Sequence, residues 1–568
     1  MEVTRRDLLK LLAIAGSAGT AGAGVHGRAF AQPTTAQLLT FEPLGNVTLL
    51  HMTDSHATLL PVYYREPDTL IGVGAEAGRP PYLTGEALLS HYGIAPGSAE
   101  AYALAHPGFS ELARRYGRMG GYAHVATLVE RVRAERPGRT LMLDGGDTLQ
   151  GSATALWTDG EDMVQAVNQL GVDVMCPHWE FTLGLDRVKA IFGDKDARGS
   201  FKGEFVAQNV VDMSWGPPGE PVFKPWVVRE VGGARIGIIG QAFPYTPVSH
   251  PRKFVPDLSF GIRDEAMQRH VEQLRGSERV DAVVVLSHNG VAVDLKMAER
   301  VRGIDVILGG HTHDGIPQPI QVGSTLVINS GAHAKFVSRL DLDVRGGRVH
   351  AWRYKLLPVL SQQIAPEPRM QALITRLRAP YEARLGEKLA VTETLLYRRG
   401  NFNGSFDEVL LQAMMQHHGA QVAFSPGFRW GLSVLPGEPI TLEDVYSQTA
   451  LSYPNTWARE MTGAEIKTIM EDVADNLFNP DPYYRQGGDM VRVGGVTYTM
   501  DPAARVGSRI SDLRIGGRLV DADRRYKATG WASMMDVDGP PVFDVVADHL
   551  RRVKQVKVDM RPRVKLKA

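Results

Sequence analysis

From residue 46 to about residue 358 the chain alternates short apolar runs with amphipathic stretches. The runs VTLLH, TLMLDGGD, EFVAQN, RIGIIGQ, DAVVVLSH, IDVILGGH and TLVINSG each end in polar residues or glycine. Short apolar runs closed in this way predict buried strands that feed loops. Between them lie helical patterns such as YAHVATLVERVRAER, in which Val125, Leu128, Val129 and Val132 share one face. The alternation predicts a layered α/β domain over residues 46–358. Residues 57–119, rich in Pro, Gly and Tyr, separate the first strand from its helix. An insertion of that length beside a strand's carboxyl end is expected to shape a site.

The pattern changes near residue 360. QQIAPEPRMQALITRLRAPYEARLG opens on prolines and continues as a helix, which predicts a linker over 359–387. A second domain of mixed strands and helices is expected over 388–568, with EIKTIMEDVADNLF as a clear helix. The last eighteen residues carry eight Lys/Arg and one Asp, a pattern of a solvated terminal strand and tail or of a docking surface for an acidic partner. At the other end, Arg5-Arg6 precede an apolar run from Leu8 to about Ala23, and Ala29-Phe30-Ala31 follows. This is the pattern of a cleaved twin-arginine export signal over 1–31. The run is too short and too rich in Gly and Ala for a membrane span, and no other run is long enough. A soluble, periplasmic protein is expected.

Composition adds exclusions. Hydrophobic residues make up 43% and charged residues 22%, the balance of an ordinary globular chain. Lys+Arg and Asp+Glu are both 63, so no overall field points to nucleic acid or to a membrane. Cys176 is the single cysteine, which excludes an internal disulfide and a thiolate zinc cluster.

Four strand ends carry ligand-type residues. HMTDSH supplies Asp54 and His56, DGGDTLQG supplies Asp147, LSHNG supplies His288, and GGHTHDG supplies His311 and His313. One such pair is weak; four, each after an apolar strand, place ligands along the carboxyl edge where open α/β sheets bind them. An aspartate can bridge two cations because its oxygens face different directions, and neutral histidines complete each shell. Two metals so held clamp a tetrahedral oxyanion and acidify water.

The order D-x-H, G-D-x-x-Q-G, a histidine after a strand, then G-H-x-H resembles the calcineurin-like metallophosphoesterases, and more narrowly their 5′-nucleotidase branch. The resemblance implies a four-layer domain, a β-sandwich flanked by helices, then a linker helix and a 5′-nucleotidase-type C-terminal α/β domain. It implies one metal on Asp54, His56, Asp147 and His313. The other would sit on Asp147, the fourth-motif residue, His288 and His311. The 5′-nucleotidases have Gln where this chain has His313.

That fourth motif departs from the family. The family's G-N-H-E-F-D becomes Pro177-His178-Trp179-Glu180-Phe181-Thr182. His178 then replaces the ligating Asn, Trp179 the catalytic His, and Thr182 the Asp that orients it. A rival register keeps His178 as the catalytic histidine, with no ligand before it. Losing a His–Asp pair is costly when the leaving group is a basic alkoxide. It costs little when the leaving group is a thiolate or persulfide, already a stable anion. The substitution therefore suggests hydrolysis of a sulfur–sulfur bond to a sulfonate.

The strings HWEFTLG, LLYRRGNFNGSFDE, FSPGFRWG and DVADNLFNPDPYYRQGGDMVRVGG resemble the SoxB thiosulfohydrolases of bacterial sulfur oxidation. That resemblance implies two manganese ions, a periplasmic site, and a substrate carried as S-sulfonate on a cysteine arm of the SoxYZ carrier protein. The ligand types would also accept Zn or Fe. Arg429, at a position the family uses for phosphate, suits a sulfonate equally well. Trp179 and Arg429 are the expected catalytic residues, and Arg429, Tyr483 and Tyr484 the expected substrate contacts, in a monomer. Asp489 stands where nucleotidases place a base-stacking aromatic. A nucleotidase or other two-metal phosphoesterase is the alternative on the same scaffold. A non-catalytic carrier-binding protein is the alternative from another class.

Overall fold

The computed structural model describes residues 35–567 apart from 215, 218, 561 and 562; the expected export signal lies outside the described residues. Two six-stranded sheets form the first domain. In one, Val47–Met52, Thr140–Asp144, Val174–Met175 and Glu204–Phe205 run parallel, and the hairpin Phe336–Arg345/Arg348–Pro358 adds antiparallel to Val47–Met52. In the other, Ala234–Gln241, Ala282–Ser287, Val306–Gly309 and Thr325–Asn329 run parallel, with Trp226–Val231 and Ile320–Val322 antiparallel at the edges.

Side-chain alternation packs these sheets into layers. Val47, Leu49, Leu141 and Leu143 meet Ile236, Ile238, Val284 and Leu286 between the sheets, with Cys176 wholly buried among them. The opposite faces take helices. Leu50, Met52 and Met142 pack under Val125, Leu128, Val129 and Val132 of helix Tyr122–Glu135. Val283 and Val285 pack under Met267, Val271 and Leu274. The result is helix, sheet, sheet, helix. Among the described residues no helix is long and apolar enough to cross a membrane.

Helices Pro368–Arg378 and Glu382–Leu385 lead into the C-terminal domain. Its central sheet runs Thr456–Thr462, Arg525–Trp531, Val422–Ser425, Arg492–Gly494. Helix Gly463–Phe478 starts with a capping box, Thr462 and Glu465 each satisfying the other's backbone N–H. Near the C-terminus Val564–Leu566 pairs with Val496–Met500 as a short strand. The two domains are not separate bodies: Ala153 and Trp179 of the first belong to the apolar cluster of Leu396, Trp430, Leu451 and Trp531 in the second.

The insertion folds into helices Gly85–Tyr92, Ala99–Leu104 and Phe109–Tyr116, which pack on Phe336, Leu356 and Leu360. It also brings Glu66 to Lys335, a wholly buried ammonium that donates to Glu66 and to the carbonyls of Tyr64 and Ala103.

Candidate metal centre

Each ligand-type residue follows the carboxyl end of a parallel strand, and the backbone turns sharply there. Asp54, His56, Asp147, His311 and His313 have φ of 52°, 45°, 56°, 72° and 60°, in the left-handed region that non-glycine residues avoid. Such conformations persist only where the surroundings hold them, and they concentrate at functional sites. Gly146 and Gly310 let the loops close up: a Cβ on the first would lie 2.4 Å from the Cys176 carbonyl oxygen, and on the second 2.4 Å from the Thr53 hydroxyl.

Two buried groups result, Asp54, His56, Asp147 and His313, and Asp147, His178, His288 and His311. In each, one ligand atom per residue lies within 4.8 Å of all the others. Asp147 belongs to both. Its carboxylate is 3.1 Å from His178 Nδ1, 3.1 Å from His288 Nε2 and 3.6 Å from His56 Nε2. Nε2 of His56 and Nε2 of His313 face each other at 3.1 Å. His178 falls within the second group, as the register with His178 as ligand requires.

Neighbours hold these rings in place. His288 Nδ1 donates to the Gly145 carbonyl at 2.5 Å, which turns Nε2 toward both aspartates. His56 Nδ1 faces the carbonyl and side-chain oxygens of Gln150 at 3.3 and 3.2 Å. His311 Nε2 donates to the Gln486 carbonyl at 3.0 Å. Glu180 accepts from the N–H groups of Thr148 and His178, pinning the two loops together.

The electrostatics favour a cation. Burial, with the charges of His178, His288 and Arg429 nearby, keeps His311 well below the ordinary histidine range. Burial, with His56, Arg399 and Arg429, does the same to His313. Burial lowers His178 to about 4 despite Asp147. His288 is the exception: burial opposes its charge, but Asp147 and Asp54 raise it to about 10. Burial pushes Asp54 up to about 6, against His288. Burial works the same way on Asp147, yet His178 and His288 hold its carboxyl well below the usual range. His178 Nδ1 and His288 Nε2 each lie 3.1 Å from Asp147, and His313 Nε2 lies 3.2 Å from Asp54. Buried imidazole nitrogens crowded in this way around two carboxylates fit divalent cations.

A cavity of about 210 Å³ opens over these groups, with Asp147, His178, Trp179, His311 and His313 on one side and Phe428, Arg429, Trp430 and Asp489 on the other. Volume alone does not mark it. A cavity of about 930 Å³ between helices Ser405–His418 and Val542–Val553 touches none of the seven ligand-type residues. Trp179 lies against His250 with ring centres 4.7 Å apart and planes tilted by 31°, and meets Phe428 edge-on at 5.3 Å. The Thr182 hydroxyl donates to the Trp179 carbonyl at 2.7 Å. Arg429 donates to the carbonyls of Gly488 at 2.6 Å and His311 at 3.4 Å, and its Nε, without a hydrogen bond, lies 3.8 Å from the Asp489 carboxylate.

Two expectations change. Tyr483 and Tyr484 do not line the cavity: Tyr483 lies under Lys296 and Arg300, and Tyr484 is 65% exposed. Gln486, Gly487 and Gly488, just after them, line it instead. No residue of the insertion lines it either; Tyr64 braces the wall from behind by donating to the Arg429 carbonyl at 2.8 Å. Asp489, on the cavity wall, is buried and bonded to Arg492 at 2.9 Å.

The sequence reading passed over His250, His333 and Arg399. His333 bonds Thr58 and lies 5.7 Å, centre to centre, from His56. Arg399 donates to Thr312 and Asp314; its Nε and Nη1 make no hydrogen bond, and Nη1 lies 3.8 Å from the Asp489 carboxylate.

Two family models match the chain: calcineurin-like phosphoesterase over residues 47–315, and the 5′-nucleotidase C-terminal domain over residues 391–545. Protein UshA of Yersinia enterocolitica is 23% identical over 495 residues, 76% of this chain and 84% of UshA. Human 5′-nucleotidase is 23% identical over 442 residues, 70% of this chain and 73% of its own length. Among solved structures, the sulfate thiohydrolase SoxB of Thermus thermophilus is 38% identical, covers 93% of this chain and 98% of its own, and superposes with a TM-score of 0.89. A 5′-nucleotidase precursor from Thermus thermophilus, 22% identical with a TM-score of 0.71 over 92% of this chain and 99% of its own, shares the fold.

Proposed function

We propose that this chain, which belongs to the 5′-nucleotidase type of calcineurin-like phosphoesterases, is within that family a thiosulfohydrolase. It would release sulfate from a cysteine S-thiosulfonate presented by a SoxYZ-like carrier protein in the periplasm, after twin-arginine export. The observation that carries the reading is Trp179. An indole lines the cavity where the resemblance places a catalytic histidine, and Thr182, in place of its aspartate, spends its hydroxyl on a backbone carbonyl. His250 lies against the indole and is not among the residues lining the cavity. The 38% identity to SoxB over nearly the whole chain supports the same choice.

The reaction adds water to the sulfonate sulfur and breaks the S–S bond. Sulfate leaves on one side and a persulfide anion on the other, with release of two protons. A persulfide needs no general acid, so a cavity without the His–Asp pair suffices. Asp54, His56, Asp147 and His313 would hold one metal, and Asp147, His178, His288 and His311 the other. Bound there, two cations, manganese by resemblance, would neutralise a tetrahedral anion and acidify a water molecule. Arg429, held by two backbone carbonyls and beside the Asp489 carboxylate at 3.8 Å, offers the N–H groups these contacts leave open to the sulfonate. The aromatic wall of Trp179, Phe428 and Trp430 excludes bulk water from the anion.

The nucleotidase reading is favoured by the curated relatives, which include 5′-nucleotidases. Incubating the purified protein with a carrier bearing a cysteine S-thiosulfonate and with adenosine monophosphate separates the two. Sulfate release without phosphate release supports the thiosulfohydrolase; phosphate release alone overturns it.

A further inference from the structure

Two hydrogen-bond relays run from the candidate metal ligands into the C-terminal domain, one from each ligand group. In the first, Gln150 faces His56 Nδ1 with its side-chain oxygen at 3.2 Å, and its amide nitrogen donates to the Ala450 carbonyl at 2.8 Å. The orientation of the amide is forced, because only its NH₂ can satisfy a carbonyl. His56 must therefore carry its proton on Nδ1, which leaves Nε2 as a lone pair toward His313 and Asp147. Gln150 is 5% exposed and Ala450, just beyond helix Leu442–Thr449, is 1% exposed.

In the second relay His311 Nε2 donates to the Gln486 carbonyl at 3.0 Å. The loop sits so close that a Cβ on Gly487, whose φ is 73°, would lie 2.6 Å from His311 Nε2. Arg429 closes the same junction from the side, bonding the carbonyls of His311 and Gly488. His288 is different: it spends Nδ1 on Gly145 of its own domain.

A ligating histidine is fixed in tautomer and direction by the partner of its other nitrogen. Here two of those partners come from, or are themselves tethered to, the other domain. We infer that metal binding and the docking of the C-terminal domain are coupled, with Gln150 and the Gln486–Gly488 loop as the positioning elements, one for each metal. The inference rests on the two-metal reading and not on the identity of the substrate. Coupling of this kind is reciprocal: what docking gives to metal affinity, metal gives to docking.

The test uses the full-length protein stripped of metal, titrated with Mn²⁺ against a chromogenic chelator, with hydrogen exchange read over residues 446–453 and 484–489. The parent should bind two ions, and both segments should exchange more slowly when loaded. Gln150→Met keeps the side chain's length and loses both side-chain hydrogen bonds, leaving His56 Nδ1 the Gln150 backbone carbonyl at 3.3 Å as its one partner. It should weaken one ion by about tenfold, the lower end of the range for loss of a ligand's supporting partner, because that carbonyl remains. At saturating Mn²⁺ it should abolish the slowing at 446–453 while that at 484–489 persists. Gly487→Ala should do the converse, weakening the other ion and freeing 484–489. Gln150→Glu is the sharper variant. Its carboxylate still accepts from His56 but cannot donate to Ala450, so it should keep two ions and lose the slowing at 446–453. A general structural loss would affect both ions and both segments alike, and would overturn the inference. So would Gln150→Met and Gly487→Ala variants that each bind both ions within twofold of a parent that binds two. A parent that binds fewer than two ions overturns the two-metal reading, and this inference with it.

Discussion

The backbone N–H of Trp179 donates to Oδ1 of Asp147 at 2.8 Å. The residue that departs most from the family and the carboxylate shared by both ligand groups are thus joined by a bond that no side-chain change removes. The His178 ring approaches the same carboxylate independently, at 3.1 Å.

His178→Ala should therefore leave Asp147 oriented and remove one ligand from a single group. The expected outcome is a folded protein holding one metal per chain instead of two, measured by elemental analysis after dialysis. Two metals at unchanged affinity would show that His178 is not a ligand.

Metal affinity should depend on pH through His288. In the metal-free chain its pKa stands at about 10 against an ordinary 6.5, so it keeps a proton that a cation must displace. That charge stabilises the metal-free fold fully below pH 6.5, and the contribution is lost as pH rises through about 10. Apparent affinity for one of the two ions should climb by about tenfold per pH unit between pH 7 and 8.5, as expected for one displaced proton. A flat profile by chelator competition would rule this out.

The insertion should matter for stability more than for the shape of the cavity. Lys335 is buried against Glu66, and burial lowers its pKa while Glu66 supports the charge. Glu66→Ala leaves that charge alone and should cost about 3–5 kcal/mol in denaturant unfolding, whereas Glu66→Leu with Lys335→Met should recover most of the loss. If the single and double variants unfold at the same denaturant concentration, the pair is not what anchors the insertion.

Six of the candidate ligands were legible in the sequence because each sits one to four residues beyond a run that predicts a buried strand, a signal that needs no tertiary information; His178 entered through the resemblance of the fourth motif. The layers were legible for the same reason: Val47 and Leu49 on one face, Leu50 and Met52 on the other. His333 follows the strand Thr325–Asn329 and carried the same signal, without a paired ligand to draw attention to it. His250 and Arg399 carried none. His250 ends a short helix and reaches Trp179 only through packing, and Arg399 lies beyond residue 390 and meets Thr312 and Asp314 only because the domains dock. Tyr483 and Tyr484 misled because they adjoin the loop that does line the cavity. In the short helical turn Pro482–Tyr484 one ring faces Lys296 and the other faces solvent.

The leaving-group explanation of Trp179 has its own test. If a persulfide departs unaided, restoring the family's pair with Trp179→His and Thr182→Asp should not speed sulfate release. The new histidine would keep the backbone bond to Asp147 and would face the cavity. The new aspartate would lose the hydroxyl that now bonds the Trp179 carbonyl, and a carboxylate facing a carbonyl is repelled. Support for the pair is therefore poor. Any phosphoesterase activity gained should fall short of the roughly 10²–10⁴-fold that a well-positioned acid contributes. Removing the indole also strips Phe428 and His250 of their ring contact, so the native rate should fall if the aromatic wall excludes water. Rates on a cysteine S-thiosulfonate and on a phosphate ester, measured side by side, decide the matter. A double variant that hydrolyses the S-thiosulfonate much faster than its parent would mean the reaction had been starved of a general acid, and a persulfide leaving group could not then account for Trp179.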